Sequence, residues 1–265
     1  MYENCEALVL RRVRYSETSY VLTLLTREFG RVDALAKGAR RPRSPMLGHF
    51  DFLAHEEVTL FRRERSSLDI ATAAERFSDF PRLRVDPARF AAGGLVAEIL
   101  LAACQPGDPC PEVFAAALGA LGRLDGGEEP CGALLPGLWD VLQGLGFAPR
   151  IDGCCDCGLA SPAAAALSPA AGGMLCGECQ RRRPADADLP RLNRGDLATL
   201  RQLAAGRLRL RVCGGGALLK AFEQYYQYVF SRELRGFGLF ARMLRRPPRG
   251  AAPAHAAVAA RAQGA

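Results

Sequence analysis

Two pairs of cysteines have the spacing of a metal site. Cys154 and Cys157 are separated by two residues, as are Cys176 and Cys179, and eighteen residues lie between the pairs. This pattern is typical of a four-thiolate zinc site, because a tight turn brings both sulfurs of a pair to one side of a tetrahedral ion. Four protein ligands leave no position for water, so such a site is structural and not catalytic. We therefore predict one Zn²⁺ per chain, bound by these four thiolates.

Other roles of these thiols fit the sequence as well: a redox dithiol, a pair of disulfides, or buried free thiols. The chain has ten cysteines, and its first four residues show neither the basic nor the apolar segment of an export signal. We therefore expect a reducing cytoplasm, where metal binding is favoured over a disulfide framework. The longest apolar run, residues 90–104, contains Glu98 and is too short to cross a bilayer. The remaining cysteines are expected to be small buried or idle thiols: Cys5, Cys104, Cys110, Cys131, Cys155 and Cys213.

The amino-terminal part of the chain, before the cysteine motif, is rich in predicted strands. Between residues 5 and 76, short apolar and β-branched segments alternate with turn residues. The predicted strands are 6–13, 20–26, 31–36, 55–61 and 68–74. Five short strands without a long helix between them predict a small barrel of the oligonucleotide/oligosaccharide-binding (OB) kind.

A helix-rich part follows Phe80-Pro81. Asp86-Pro87 is a typical helix start, with an N-cap residue before a proline at the first helical position. The predicted helices are 90–101, 112–124, 133–145, 193–205 and 217–234. We expect the last to be the longest, with one apolar side formed by Leu218, Leu219, Phe222, Tyr226, Val229 and Phe230.

These patterns together predict a multidomain α+β protein. Its parts are an N-terminal five-stranded OB-type β-barrel and an α-helical domain with an inserted four-cysteine zinc module. The predicted boundaries are 1–80 for the barrel, 81–149 and 184–246 for the two parts of the helical domain, and 150–183 for the zinc module. The Ala-, Pro- and Gly-rich tail 247–265 is expected to be disordered.

Charge is distributed unevenly along the chain, whose formal net charge is +7. Residues 1–80 carry 13 basic and 12 acidic side chains, residues 81–180 carry 5 and 11, and residues 181–249 carry 16 and 5. A basic carboxy-terminal part suggests a polyanion, usually nucleic acid, as partner. The alternative is a compositional bias that places arginine instead of lysine throughout the chain.

The sequence contains none of the catalytic motifs that we sought. It has no Gly-x-x-x-x-Gly-Lys-[Ser/Thr] loop, no Gly-x-Ser-x-Gly elbow and no His-Glu-x-x-His pair. The acidic pairs Glu56-Glu57 and Glu128-Glu129 are adjacent in the chain, so their side chains tend to diverge in a strand or loop. We therefore predict a binding protein and not an enzyme.

A barrel of this kind binds single-stranded nucleic acid by combining a basic groove with aromatic faces. Four cations lie close together after the third strand: Lys37, Arg40, Arg41 and Arg43. Further phosphate contacts are expected from Arg11, Arg12, Arg14, Arg62, Arg63 and Arg65. Tyr15, Tyr20 and Phe61 are candidates for base stacking. Barrel core is the alternative for each aromatic and is expected for Phe29 and Phe52, and a solvated linker is the alternative for the basic loop.

Several motifs occur together in one order. They are the segments 7–19, 24–26, 29–31 and 37–40, followed by the module with Cys154, Cys157, Gly172-Gly173, Cys176 and Cys179. Over about residues 1–240 this order resembles the RecO family of bacterial DNA repair proteins, and the amino-terminal segments are its most specific part. The chain departs from the family pattern in residues 162–173, which are almost all Ala, Pro and Gly.

The resemblance implies an OB barrel followed by a helical domain with a Zn²⁺-binding insertion. It also implies binding to single- and double-stranded DNA, annealing of complementary strands, and a cytoplasmic, nucleoid-associated location. Its implied partners are RecR, RecF and single-strand-binding protein, with which such a protein helps to load the RecA recombinase onto coated strands.

The basic carboxy-terminal part is expected to contact a protein partner. An acidic peptide that ends in a hydrophobic residue and a free carboxylate suits a surface with an apolar groove and cations. The tail of single-strand-binding protein is a peptide of that kind. We assign Lys220, Arg232 and Arg235 to this contact on charge and position. The alternative is that the aromatic residues of helix 217–234 are buried core, which is the expected fate of most of them.

Two functions of other classes fit parts of the sequence. A sequence-specific regulator would use helix 193–205, with Arg194 and Arg201, as a recognition helix. A zinc-ribbon enzyme that processes nucleic acid would need converging carboxylates, which are not visible in the sequence. Competition with unrelated duplexes separates a regulator from a mediator, because a regulator prefers one sequence strongly.

Overall fold

The computed structural model describes residues 1–63, 68–160, 162–206 and 216–245. The predictions for Arg65, Cys213 and the tail 247–265 lie outside these residues. Within them, five strands are followed by four helices, a two-stranded hairpin and four more helices.

The first five strands close into a barrel. They are β1 (Tyr2–Arg14), β2 (Tyr20–Thr26), β3 (Gly30–Ala36), β4 (His55–Phe61) and β5 (Asp69–Ser78). Their order around the barrel is β1-β2-β3-β5-β4, in which β3 and β5 pair in parallel and the other neighbours are antiparallel. The long strand β1 pairs with β4 through its first half and with β2 mainly through its second half. The predicted five-stranded OB-type barrel is confirmed.

Side chains of the barrel alternate between its interior and its outer surface. In β3, Val32, Ala34 and Ala36 are buried and the residues between them are partly exposed. The outward side chains of Leu8 and Leu25 are also buried, because they belong to the core shared with the helices. The barrel is therefore covered by helices on one side and open to solvent on the rest.

A buried carboxylate anchors the loop between β3 and β4. Glu56 is 0% exposed. It accepts hydrogen bonds from Phe50 N (3.1 Å to Oε1) and from Arg76 Nη2 (2.9 Å to Oε1). A buried charge is tolerated when it is paired and hydrogen-bonded in this way. The bonds hold the end of the loop against the barrel, although Phe50 has a left-handed φ of 64°.

Four helices follow the barrel: α1 (Pro81–Val85), α2 (Pro87–Ala103), α3 (Pro111–Asp125) and α4 (Pro130–Gly144). Each begins with a proline, whose missing N–H is not needed in the first turn. Asp86 caps α2 by accepting hydrogen bonds from Ala88 N (2.9 Å) and Arg89 N (3.2 Å). The helix start predicted at Asp86-Pro87 is therefore confirmed. In the described part of the chain, none of the helices has the length and apolar character needed to cross a membrane.

The cysteine module and a capped helix come next. Strands β6 (Ala165–Ser168) and β7 (Gly173–Cys176) form a hairpin that leads into α5 (Gly177–Arg182), and α6 (Arg194–Ala204) follows. Asn193 begins α6 with a capping box, in which its side chain accepts from Asp196 N (3.0 Å) and Asp196 accepts from Asn193 N (3.1 Å). The helix predicted at 193–205 is confirmed.

The prediction of a single longest helix at 217–234 was wrong. Helix α7 (Gly216–Phe230) has 15 residues and is shorter than α2, which has 17. It ends because Ser231 adopts a left-handed φ of 50°. After a short turn the chain forms α8 (Arg235–Leu244), which the sequence had not revealed.

Helix α8 is docked on α2 through Glu98, the charged residue that interrupts the apolar run. The Glu98 carboxylate accepts hydrogen bonds from Arg235 N (3.0 Å) and Gly236 N (2.7 Å), two free N–H groups at the start of α8. The helices approach closely, since a Cβ atom on Gly236 would lie 2.9 Å from Leu95 Cα.

The connection from α2 to α3, residues 104–110, lies on the hairpin of β2 and β3. Gly107 N donates to Arg31 O (3.0 Å), and Arg31 N donates to Gln105 O (3.4 Å). Gly30 has φ 65°, and a Cβ atom there would lie 2.0 Å from the carbonyl oxygen of Asp108. The backbone of the 104–110 connection is therefore in direct contact with the backbone of the β2–β3 hairpin, at the junction of barrel and helices.

Candidate nucleic-acid interface and metal centre

The four motif cysteines come from two turns that face each other. Cys154 and Cys157 lie in a turn closed by a hydrogen bond from Gly158 N to Cys154 O (2.9 Å). Gly158 has φ 74°, which glycine adopts without strain. Cys176 ends β7 and Cys179 lies in the first turn of α5. The predicted spacing therefore becomes a single cluster through the β6–β7 hairpin.

The sulfur atoms are close enough to bind one ion. All four Sγ atoms lie within 4.8 Å of one another, and Cys157 Sγ is 3.8 Å from Cys176 Sγ. A tetrahedral ion with Zn–S bonds of about 2.3 Å separates its sulfurs by about 3.8 Å, so the group has the right size. Cys155 is not a member of the group, and its N–H donates to Met174 O (2.8 Å). This four-cysteine group could hold a metal ion.

Backbone N–H groups around Cys154 favour the thiolate, the form that binds metals. Burial raises the pKa of Cys154, but hydrogen bonds from backbone N–H groups of Cys157, Cys176 and Asp156 outweigh it. They bring the pKa to about 6, compared with an ordinary value of 9.0. The pKa of Cys179 is raised, chiefly by its hydrogen bond with Cys176. These hydrogen bonds therefore favour the thiolate at Cys154 over the thiolate at Cys179.

Residues outside the cluster connect its two turns to the rest of the chain. Arg183 pairs with Asp156 in the first turn (3.1 Å) and with Asp186 beyond α5 (2.8 Å). The backbone oxygen of Arg150 accepts a hydrogen bond from Met174 N (2.8 Å). The start of the module is thereby held against the β6–β7 hairpin, and its end is held against the first cysteine turn.

The basic loop after β3 lies against the turn between β1 and β2. Arg40 N donates to Thr18 O (3.0 Å), and Arg40 Nη1 donates to Ser16 O (3.1 Å). The other three cations of the loop are exposed: Lys37, Arg41 and Arg43. Arg40 is therefore fixed to the barrel while its neighbours face solvent.

Tyr20 lies between two arginines at this end of the barrel. The guanidinium carbon of Arg12 is 4.9 Å from the centre of the Tyr20 ring, and that of Arg40 is 5.8 Å away. Arg12 is also paired with Asp51 (2.7 Å), which fixes its position. A partly exposed aromatic ring flanked by positive charge is the combination that can stack on a base and contact its phosphates.

Two further predicted cations are exposed near the same end of β1. Arg14 on β1 is the backbone register partner of Tyr20 on β2. Arg11 lies three residues before Arg14 on the same strand. Tyr15, which follows β1, is 67% exposed. We call this group the basic end of the barrel: Arg11, Arg12, Arg14, Tyr15, Tyr20, Lys37, Arg40, Arg41 and Arg43.

Arg62 and Arg63 do not belong to the basic end. Tyr2, at the other end of β1, is the backbone register partner of Phe61 at the end of β4. Arg62 and Arg63 directly follow Phe61, so they lie at that other end of β1. Two carboxylates already engage Arg62, that of Asp69 (2.8 Å) and that of Glu3 (3.8 Å). The structure therefore separates Arg62 and Arg63 from the other described cations that were predicted to bind DNA. The charge of Arg62 is already balanced by its carboxylate partners.

The three cations assigned to a protein partner are exposed but lie on different elements. Lys220 is on α7, where it pairs with Glu223 (2.9 Å). Arg232 lies in the turn after α7, and Arg235 begins α8. Arg232 and Arg235 therefore lie at the break between the two helices, whereas Lys220 lies in the first half of α7.

The aromatic side of α7 is mainly core, as the alternative interpretation expected. Phe222 and Tyr226 are 0% exposed, and Tyr226 Oη donates to Leu138 O (2.6 Å) on α4. Phe230 is partly exposed and stacks on Tyr226. An apolar groove for a peptide is therefore not formed by these side chains.

Both parts of the chain match models of one protein family. Residues 1–80 match the model "Recombination protein O N terminal", and residues 84–236 match "Recombination protein O C terminal". The chain belongs to the recombination protein O (RecO) family. The boundary between the two models falls where the barrel ends and the helices begin.

Curated relatives of this RecO-family chain are named "DNA repair protein RecO". The protein of Rhodopirellula baltica is 36% identical over 202 residues, which cover 75% of this chain and 74% of the relative. That of Desulfitobacterium hafniense is 29% identical over 248 residues, covering 91% and 90%. That of Rubrobacter xylanophilus is 36% identical over 211 residues, covering 79% and 83%.

Two aromatic contacts in this RecO-family barrel were not anticipated from the sequence. Tyr2 is 67% exposed, and its ring centre is 5.0 Å from that of Phe61. Phe29, expected in the core, is only partly buried, and the guanidinium of Arg62 lies 4.4 Å over its ring. These contacts depend on which strands are neighbours, so the order of residues along the chain could not indicate them.

Proposed function

We propose that this RecO-family chain is a DNA-binding mediator of recombinational repair. It binds and anneals single-stranded DNA. With RecR and RecF it helps to load the RecA recombinase onto strands coated by single-strand-binding protein. The observation that carries the proposal is the basic end of the barrel, where Tyr20 lies between Arg12 and Arg40 beside exposed cations. The name of the curated relatives supports a role in DNA repair.

Phosphate contacts at the basic end would make binding independent of sequence. Among the ion pairs of the described residues, Arg12 is paired with Asp51, whereas five exposed cations have no carboxylate partner and can neutralise phosphates: Arg11, Arg14, Lys37, Arg41 and Arg43. Neutralisation on one strand lowers the repulsion of a second strand, which favours annealing. Tyr20 would add a stacking surface that accepts any base.

Charge reversal at the loop tests the DNA-binding part of the proposal. In the variant Arg40→Glu/Arg41→Glu/Arg43→Glu, we expect weaker binding to unrelated oligonucleotides by a similar factor. The slope of log K against log salt should flatten by about 0.7 for each lost single-strand contact. Fluorescence anisotropy at several salt concentrations measures both quantities.

The matched control is Arg242→Glu/Arg245→Glu, which reverses two exposed cations on or next to α8. We expect it to retain the affinity and the salt slope of the unmodified protein. If the control loses binding and the loop variant does not, the DNA-binding surface lies in the basic carboxy-terminal part and the loop is a linker.

We also propose that the four-cysteine group binds one structural Zn²⁺. An all-sulfur set of four ligands with this spacing suits Zn²⁺, and it leaves no open position for chemistry. Cys154, Cys157, Cys176 and Cys179 would hold the ion, which would join the first turn to the start of α5. The metal would supply stability to this module and would take no part in DNA chemistry.

The third part of the proposal is that Lys220, Arg232 and Arg235 contact the acidic tail of single-strand-binding protein. All three are exposed cations, and Arg232 and Arg235 lie at the α7–α8 break. We expect Lys220→Glu/Arg235→Glu to weaken the binding of a labelled tail peptide at least fivefold, whereas Arg242→Glu/Arg245→Glu should not. Peptide binding that is unchanged in the first variant would place the peptide site elsewhere.

A further inference from the structure

Two cysteines outside the metal cluster lie side by side at the junction of barrel and helices. Cys104 Sγ and Cys110 Sγ are 3.5 Å apart. Cys104 caps the end of α2, where its N–H donates to Leu100 O (2.9 Å), and Cys110 precedes α3, where its carbonyl accepts from Phe114 N (2.9 Å). Both thiols are thus held by helix ends, and neither belongs to the four-cysteine group.

The loop between these cysteines is itself docked on the barrel. Its residues 105–109 are exposed, yet its backbone pairs with Arg31 and rests on Gly30. Cys104 is only 3% exposed, whereas Cys110 is partly exposed. One thiol can therefore be reached by a small molecule in solution while its neighbour is shielded behind it.

We propose that Cys104 and Cys110 form a reversible intrachain disulfide by exchange with low-molecular-weight disulfides such as oxidised glutathione. The inference concerns a site of thiol modification and does not depend on the proposed DNA-binding function. Two of the cysteines expected to be idle are thereby given a chemical role.

The exchange takes place in two displacement steps. The Cys110 thiolate attacks one sulfur of glutathione disulfide, which forms a mixed disulfide and releases one glutathione thiolate. Cys104 then loses its proton to solvent and attacks the Cys110 sulfur, which forms the Cys104–Cys110 bond and releases the second glutathione. The two protein thiols give up two electrons, and these reduce one glutathione disulfide to two glutathione thiols.

Accessibility and hydrogen bonding assign the first attack to Cys110. The pKa of Cys110 is lowered by its hydrogen bond with Cys104, an effect that outweighs burial and nearby carboxylates. The pKa of Cys104 is raised by the same hydrogen bond and by burial. The thiolate forms preferentially on the sulfur that solvent can reach, as attack on an external disulfide requires.

The fold brings the sulfurs close to bonding distance. A disulfide bond is about 2.05 Å long, so the two sulfurs must approach by about 1.5 Å from their present separation. In the unfolded chain the five intervening residues let the same sulfurs move over a larger volume. The folded protein should therefore form this bond more readily than the unfolded chain, and the bond would close a ring over the loop that pairs with Arg31.

Trypsin isolates this pair from every other cysteine. No lysine or arginine lies between Arg89 and Arg123, so the peptide 90–123 contains Cys104 and Cys110 and no further cysteine. The full-length protein is equilibrated in buffers with different ratios of reduced to oxidised glutathione, both folded and in 8 M urea. Acid quenching, alkylation with N-ethylmaleimide, digestion and mass spectrometry then give the state of this peptide.

We expect the peptide from folded protein to change from two alkylated cysteines to an intrapeptide disulfide as the buffer becomes more oxidising. The equilibrium constant for the bond should be at least tenfold larger in folded protein than in urea. In folded Cys104→Ser, Cys110 should instead accumulate as a mixed disulfide with glutathione. The proposal is overturned if the folded peptide keeps two alkylated cysteines, if it carries two glutathiones, or if urea leaves the equilibrium constant unchanged or raises it.

Discussion

The proposed role of Tyr20 depends on the side chains placed around it. Its position on β2 pairs with Arg14 and with Ala36 in the sheet, which leaves the ring partly exposed. Arg12 comes from the neighbouring strand and Arg40 from the loop after β3, and both approach the ring. The two guanidinium groups can hold the ring in place and also attract phosphates to it.

Replacement of Tyr20 tests stacking separately from charge. We expect Tyr20→Ala to weaken the binding of a single-stranded oligonucleotide by about 1–3 kcal/mol, because a stacking surface is lost while the cations remain. Tyr20→Phe should retain most of the affinity, since it keeps the aromatic face. Anisotropy titrations at fixed salt concentration measure both changes.

The duplex is the control for Tyr20→Ala. Because its bases are already stacked inside the helix, duplex affinity should change less than single-strand affinity. Equal losses for both substrates would show that the variant disturbs the arginines, and an unchanged single-strand affinity would exclude Tyr20 as a stacking residue.

At the scale of elements, the β2–β3 hairpin joins barrel and helices through backbone contact. Gly30 is in the left-handed region, and it faces the backbone of Asp108 with no space for a side chain. Gly107, in the loop on the other side of this contact, also has a positive φ of 73°, but a Cβ atom there would meet nothing within 4 Å. The two glycines thus share a conformation and differ in their surroundings.

This pair predicts unequal losses of stability. Gly107→Ala should lower the free energy of unfolding by about 1–2 kcal/mol, because alanine is strained at positive φ. Gly30→Ala should cost about 1–3 kcal/mol more, because the loop backbone must also move away. Urea unfolding of the two variants beside the unmodified protein measures the difference. Equal unfolding midpoints for the two variants would show that the loop backbone at Asp108 can move away from residue 30 without a loss of stability.

At the scale of the whole molecule, the cysteine module is attached to the helices by one face only. Cys154, Leu175, Cys176 and Cys179 form a small buried cluster of their own. On the other face of the hairpin, Leu167 and other apolar side chains belong to the main core. The division into residues 1–80, 81–149, 150–183 and 184–246 stays a prediction, and the separate cluster is consistent with a distinct module at 150–183.

Metal removal should therefore have a local effect. We expect the protein to contain about one zinc per chain, and Cys157→Ser to lose most of it while Cys155→Ser keeps it. Cys157 is exposed, so its replacement leaves core packing unchanged. Amide hydrogen exchange of the zinc-depleted protein should increase in residues 150–183 and stay unchanged in the barrel.

Two results would contradict this prediction. Protein purified without chelators and found to contain no zinc would exclude the metal. Zinc that is lost equally from Cys155→Ser and Cys157→Ser would show that the ligand set includes Cys155 or that the module does not tolerate substitution.

The sequence by itself determined the features that depend on short spacing along the chain. Short apolar and β-branched segments between turn residues indicated the five strands, Asp86-Pro87 and Asn193 indicated two helix starts, and the two Cys-x-x-Cys pairs indicated the sulfur cluster. Within each strand, each helix cap and each cysteine pair, the interacting groups lie within a few residues, so the local backbone geometry decides whether they meet.

Only the tertiary structure decided which distant residues share a surface. It gathered Arg12, Tyr20 and Arg40 at one end of the barrel and left Arg62 at the other, bound to carboxylates. It also ended α7 at Phe230 and brought Cys104 beside Cys110. These outcomes depend on strand register, on loop paths and on packing between elements, and the free energy of such contacts is not encoded in any one local segment.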